Sequence, residues 1–131
     1  MAQGKETENK QTNGFMESMK LFQKVYDFLV YIFPILGQLP KFEKFALQLY
    51  IKQSLFELVK DIIRFRKTGT KSHIYAADVE LEFIRVLIRL AYDLKYSAVN
   101  KHRYEVASRK LAEVGKILGG IIEAVKDGKW K

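Results

Sequence analysis

The chain has 131 residues, enough for one hydrophobic core and too few for two comfortable ones. Hydrophobic residues make up 48% and charged residues 29%, which excludes wholesale disorder, and 23 Lys and Arg against 15 Asp and Glu leave a formal charge of +8 that makes polyanions the first partners to consider. Cysteine is absent, so a disulfide framework, a thiolate metal site and a cysteine nucleophile are excluded, and a cytoplasmic location is expected.

The first 14 residues, MAQGKETENKQTNG, lack the apolar heart of a signal peptide. They are expected to form a disordered polar tail ahead of a single domain over residues 15–131. The most apolar stretch, Val25 to Leu36, contains Asp27 and Pro34 and falls short of the roughly 20 residues a membrane-spanning helix needs. No membrane partner is expected.

Four segments then place apolar residues at helical spacing. In the first, Phe22, Val25, Leu29, Ile32 and Leu36 step by three and four as a narrow inward stripe, and Pro34 kinks or ends the helix. Gly37 and Pro40 mark a turn, and the second helix is expected to start near Pro40 and to stop near Lys67, ahead of Thr68, Gly69 and Thr70. This second helix carries two apolar stripes. One contains Phe42, Phe45, Leu49, Phe56, Val59 and Ile63, and the other Leu47, Ile51, Leu55, Leu58, Ile62 and Phe65. A bundle buries one stripe per helix, so the second implies another covering surface, and an oligomer is expected.

The third helix, about His73 to Tyr96, confines most of its polarity to Asp78, Glu82, Arg85, Arg89 and Asp93, and also reads as buried on more than one side. The fourth begins near Asn100, a favourable N-cap, and carries Tyr104, Ala107, Leu111, Val114, Leu118, Ile121 and Val125 as a bundle seam. Beside that seam Ser108, Ala112, Gly115 and Gly119 form a ladder of small side chains that permits close approach, at about 1 kcal/mol of helix propensity per glycine. Short connections between helices of this length give an all-α fold, an antiparallel up-down-up-down four-helix bundle.

The positive excess sits in the second and fourth helices. In an up-down bundle their ends share a pole, which gathers Arg64, Arg66, Lys67, Lys71, Lys126, Lys129 and Lys131; Lys41, Lys44, Lys95, Lys101 and Arg103 gather at the other. Basic residues at helix C-termini also complement the helix dipole, so capping electrostatics is an equal reading of each pole. Arg85 and Arg89 lie one turn apart on the narrow polar face of the third helix, where two guanidinium groups could clamp phosphates. Glu82 and Asp93, at in-helix spacing, offer them ordinary ion pairs instead. Lys52 lies in the gap between the two stripes, where a solvated, snorkelling lysine is the default reading and a polyanion contact the minority one.

His73 and His102 stand alone at the starts of different helices, without metal-ligand spacing, and no phosphate loop, nucleophile elbow or dinucleotide fingerprint is present. No enzyme, cofactor or metal is expected. Composition and spacing end at a basic, oligomeric helical bundle.

The run IYAADVELEFIRVLIRLAYDL (Ile74 to Leu94), followed by HRYEVASRKLAEVGKILGGIIEAV (His102 to Val125), resembles the accessory variability determinant, Avd, of diversity-generating retroelements. The match is clearest at Tyr75 to Asp78, at Arg85 and Arg89, and over Ala112 to Gly119, and the resemblance covers about residues 19 to 126. LPKFEKFALQLYIKQSLFELV (Leu39 to Val59) is similar to the broader family of four-helix-bundle proteins encoded in intervening sequences of ribosomal RNA genes.

The resemblance implies a non-enzymatic accessory subunit of an error-prone reverse transcriptase, assembled as a barrel-like homopentameric ring with a basic surface and central pore that binds RNA and possibly DNA during mutagenic retrohoming. Its nucleic-acid contacts would be Arg85 and Arg89, with Lys52 and Lys116 at positions that are basic in the family, and Arg64, Arg66 and Arg109 completing the candidates. Gly119 and Gly120 are followed by Ile121, where family members often place a tryptophan. A ribosomal-RNA-associated or protein-binding bundle with no reverse transcriptase is the alternative.

Overall fold

A computed structural model of the chain describes residues 2–130, with side chains from Gly14 onward. Helix α1 spans Ala2–Leu36, α2 Leu47–Thr68, α3 Lys71–Asp93 and α4 Lys101–Lys126, and there is no strand among the described residues. The tail expected over residues 1–14 lies almost wholly outside the described side chains, and the domain boundary near Gly14 stands as a proposal. Helix α1 packs on α2 and α4, and α3 packs on the same two helices from the other side, so all four close around one core.

That core follows the expected seams where each helix has a single apolar stripe. In α4, Ala107, Leu111, Val114, Leu118, Ile121 and Val125 are all buried, with Tyr104 packed at their edge. In α2 the stripe Leu47, Ile51, Leu55, Leu58, Ile62 and Phe65 is buried. Of the other stripe, Phe42, Phe45, Leu49 and Phe56 are exposed, Phe45 to 79%, while Val59 and Ile63 are half-buried. In α1 the inward set is Leu21, Val25, Phe28, Ile32, Ile35 and Leu36, while the expected Phe22 and Leu29 lie half-buried at its edge.

The start of the second helix corrects the reading from sequence. Pro40 leads into a single 3-10 turn, Lys41–Glu43, and α2 begins only at Leu47. Ala46 lies outside the helical region at φ −122° and ψ −102°, which turns the chain so that Leu47 enters the core while Phe42 and Phe45 stay outside. Pro34 does not cut α1 short; the helix runs two residues past it to Leu36.

The remaining boundaries have local causes. Helix α2 ends on Gly69, whose φ of 69° suits a residue without a β-carbon. Helix α3 ends near Asp93, short of the expected Tyr96, in the double hydrogen bond of a Schellman motif: the Lys95 N–H donates to the Tyr92 carbonyl at 2.9 Å and the Tyr96 N–H to the Ala91 carbonyl at 3.3 Å. Here the left-handed position is held by Lys95, at φ 62°. Asn100 caps α4 as expected, its side-chain oxygen accepting from the Arg103 N–H at 2.9 Å.

Side-chain contacts join the ends of different helices. Arg103 Nη1 donates to Gln38 Oε1 at 2.8 Å and to the Ala98 carbonyl at 2.9 Å, binding the start of α4 to the chain beyond α1. Tyr96 donates to Glu43 Oε2 at 2.6 Å, which links the two long connections. Trp130 packs on Phe65 with ring centroids 5.3 Å apart, so the end of α2 lies beside the residues following α4.

Candidate nucleic-acid interface

The seven candidate cations do not converge on one patch. They distribute over two grooves and the outer side of α2.

Arg85 lies in the groove between α3 and α4. A β-carbon at Gly115 would sit 3.6 Å from its Nη1 and 3.6 Å from Leu81 Cδ2, both ordinary contact distances, so the guanidinium lies directly against α4 at this point. Arg85 is exposed and, among the described residues, enters no ion pair; the expected partnership with Glu82 does not form. Arg89, one turn further along the same face, does form its expected pair, with Nε 3.5 Å from Asp93 Oδ2. Both members of that pair are well exposed, so solvent screening leaves the arginine available to a competing anion.

Lys116 follows Gly115 on the exposed side of α4, and Arg109 lies seven residues earlier, two turns away on the same face. Both are exposed. A β-carbon added at Gly119 or Gly120 would meet no atom within 4 Å, so the floor beyond Gly115 is open. The ladder of small residues thus borders an open groove, with Arg85 laid across it.

Lys52 and Arg66 belong instead to the α1–α2 groove. Lys52 Nζ lies 5.1 Å from the Phe33 ring centroid, and the Arg66 guanidinium lies 6.0 Å from the Phe22 centroid with Nη1 3.0 Å from Met19 Sδ. Arg64 points elsewhere on α2, its Nη1 2.9 Å from Asp61 Oδ1 and 3.4 Å from Glu57 Oε2. The hydrogen bond to Asp61 is the largest of the influences that raise the Arg64 guanidinium above its usual pKa. Asp61 is buried, so Arg64 neutralises a carboxylate that would otherwise stand uncompensated at the edge of the core.

Sequence reasoning missed the polar positions of the α2 seam. Ser54 and Asp61 are buried, the Ser54 hydroxyl donating to the Glu80 carboxylate of α3. Their signal was present: Leu47, Ile51, Ser54, Leu58, Asp61 and Phe65 alternate steps of four and three, the spacing of a packed seam. It also missed Lys24 and Lys110 on the α1–α4 side, the first 3.2 Å from Glu113 and the second 5.4 Å from the Tyr31 ring centroid.

Among the described residues, no group of three or more His, Asp or Glu side chains is placed to hold a metal ion, and no helix is long and apolar enough to cross a membrane. The fold and its cationic grooves define a basic helical-bundle protein that also exposes apolar side chains. The bAvd-like family model matches residues 19–125, and the chain belongs to that family. Membership suggests an accessory role in diversity-generating retroelements, in a family of accessory proteins associated with reverse transcriptase systems and not known as enzymes. No curated protein matches the chain.

Proposed function

We propose that the protein is a cytoplasmic, non-enzymatic accessory subunit of an error-prone reverse transcriptase, and that it holds RNA or DNA on the cationic groove between α3 and α4. Family membership supports the accessory role. The observation that carries nucleic-acid binding is Arg85, which lies over Gly115, exposed and without an ion pair among the described residues, in a groove whose floor is open at Gly119. Arg89, Arg109 and Lys116 extend the positive surface on either side of it. Contacts of this kind neutralise phosphates and read little sequence.

The protein works as a ring of copies, five by resemblance to the family, with a basic pore. The exposed apolar side chains of α2 and α3 support assembly, since a lone protomer leaves them in water. The antiparallel up-down-up-down order is supported by the pairing of Gln38 with Arg103, of Glu43 with Tyr96 and of Phe65 with Trp130, each joining chain ends that this topology brings to one pole.

Fluorescence anisotropy with labelled single-stranded RNA and DNA across a salt series tests the binding. Affinity should fall steeply with salt, and Arg85→Glu should weaken it and reduce the magnitude of the log–log salt slope by about 1. Affinity that ignores both salt and charge reversal at Arg85 and Arg89 would replace this reading with that of a protein-binding bundle.

A further inference from the structure

Among the apolar surfaces that the described residues leave uncovered, two differ in charge. The first runs along α3, where Val79, Phe83, Val86 and Leu90 are exposed at alternating steps of four and three, a spacing that aligns them on one face. Asp78 and Glu82 flank it and enter no ion pair among the described residues; of the cations on the same flank, Arg89 pairs with Asp93 and the Arg85 guanidinium lies against α4 at Gly115.

The second lies where α1 meets α2. Tyr26, Val30 and Phe56 are exposed there, with Phe56 5.6 Å from Phe33 between ring centroids. Its cations, Lys52 and Arg66, rest on Phe33 and Phe22 and have no carboxylate partner among the described residues. Each surface therefore holds unpaired charges beside its exposed apolar side chains, the carboxylates of Asp78 and Glu82 on the first and the cations Lys52 and Arg66 on the second. A two-fold contact of either surface with itself would bring like charges together.

We infer that the α3 surface of one copy docks onto the α1–α2 surface of the next, a head-to-tail contact between unlike patches. The inference rests on the proposed homo-oligomer and deepens it by naming the two faces. A contact between unlike patches leaves one of each kind free on every pair, so addition continues until a ring closes. It also separates two sets of cations: Lys52 and Arg66 serve assembly, while Arg85 and Lys116 on the α3–α4 side serve the polyanion.

The test uses Val86→Arg, which sets a positive charge against the cationic face, and Val30→Asp, which sets a negative one against the acidic face. Both valines are 61% exposed, so the fold of the protomer should survive. By light scattering the unmodified protein should be a multimer, each variant alone a monomer, and a mixture of the two a one-to-one dimer joined through the single intact pair of faces. A multimeric parent whose variants keep its mass, or whose mixed variants remain monomers, would overturn the docking of these faces while leaving the homo-oligomer standing. A monomeric parent would overturn the homo-oligomer itself and the docking with it. If circular dichroism shows either variant to have lost helix, Val79→Arg and Tyr26→Asp carry the same test.

Discussion

Gly119 and Gly120 lie in the interior of α4, where glycine costs roughly 0.5–1 kcal/mol against alanine through the backbone entropy lost on folding. Within the protomer nothing comes within 4 Å of the β-carbon that either alanine would add. The double variant Gly119→Ala, Gly120→Ala should therefore stabilise the fold by about 1–2 kcal/mol, the sum of two helix-propensity terms with no steric charge against them. Unfolding entropy of about 2.1 cal/mol/K per residue, taken over 131 residues, converts this into a Tm increase of about 4–7 °C. Thermal melts followed at 222 nm, on parent and variant samples of equal mass by light scattering, give the measurement. A variant that melts no higher than the parent would refute the premise that the space beside these glycines is empty. A variant that melts higher yet loses affinity for RNA would place a close-approaching polyanion where the small side chains leave room.

Lys95 holds the left-handed position at the end of α3, and Lys95→Gly should stabilise the fold by about 0.5–1 kcal/mol in urea titration, after the greater unfolded-state freedom of glycine is counted. Asn100→Ala removes the α4 cap and should cost about 1 kcal/mol in the same assay. The hydrogen bond to Glu43, and then burial, raises the Tyr96 pKa above its ordinary 10.0, so the unfolded chain surrenders this proton first. Stability from this contact is present below pH ~10 and is lost as pH rises through the folded-state pKa. Tyr96→Phe should flatten the alkaline decline in Tm, and an unchanged decline would count against the contact.

The architecture was legible wherever a helix offers one apolar stripe, as α4 does from Ala107 to Val125. It was less so in α1, because Leu21 and Phe22, or Phe28 and Leu29, are adjacent apolar residues that spacing alone cannot rank, and packing against α2 and α4 chooses the first of each. The entry to α2 was misplaced because proline suits the first turn of an α-helix and of a 3-10 turn alike, and the break at Ala46 has no signature in residue type. Of the two arginine ion pairs expected on α3, Arg89 with Asp93 is visible in the spacing and forms. Glu82 loses Arg85 to a contact on α4, which no count along a single helix can reveal.

The guanidinium of Arg103 holds Gln38 and the Ala98 carbonyl together, at the end of the molecule where the Tyr96 hydroxyl also meets Glu43. The chain passes from α2 to α3 through Gly69 and Thr70, at the end where Trp130 packs on Phe65. The chain connections are thus tied by polar contacts at one end of the molecule and by an aromatic contact at the other. Amide exchange at the exposed backbone of Gly69 and Thr70 should outpace exchange at the buried Val99, so the two ends of the bundle should open on different timescales.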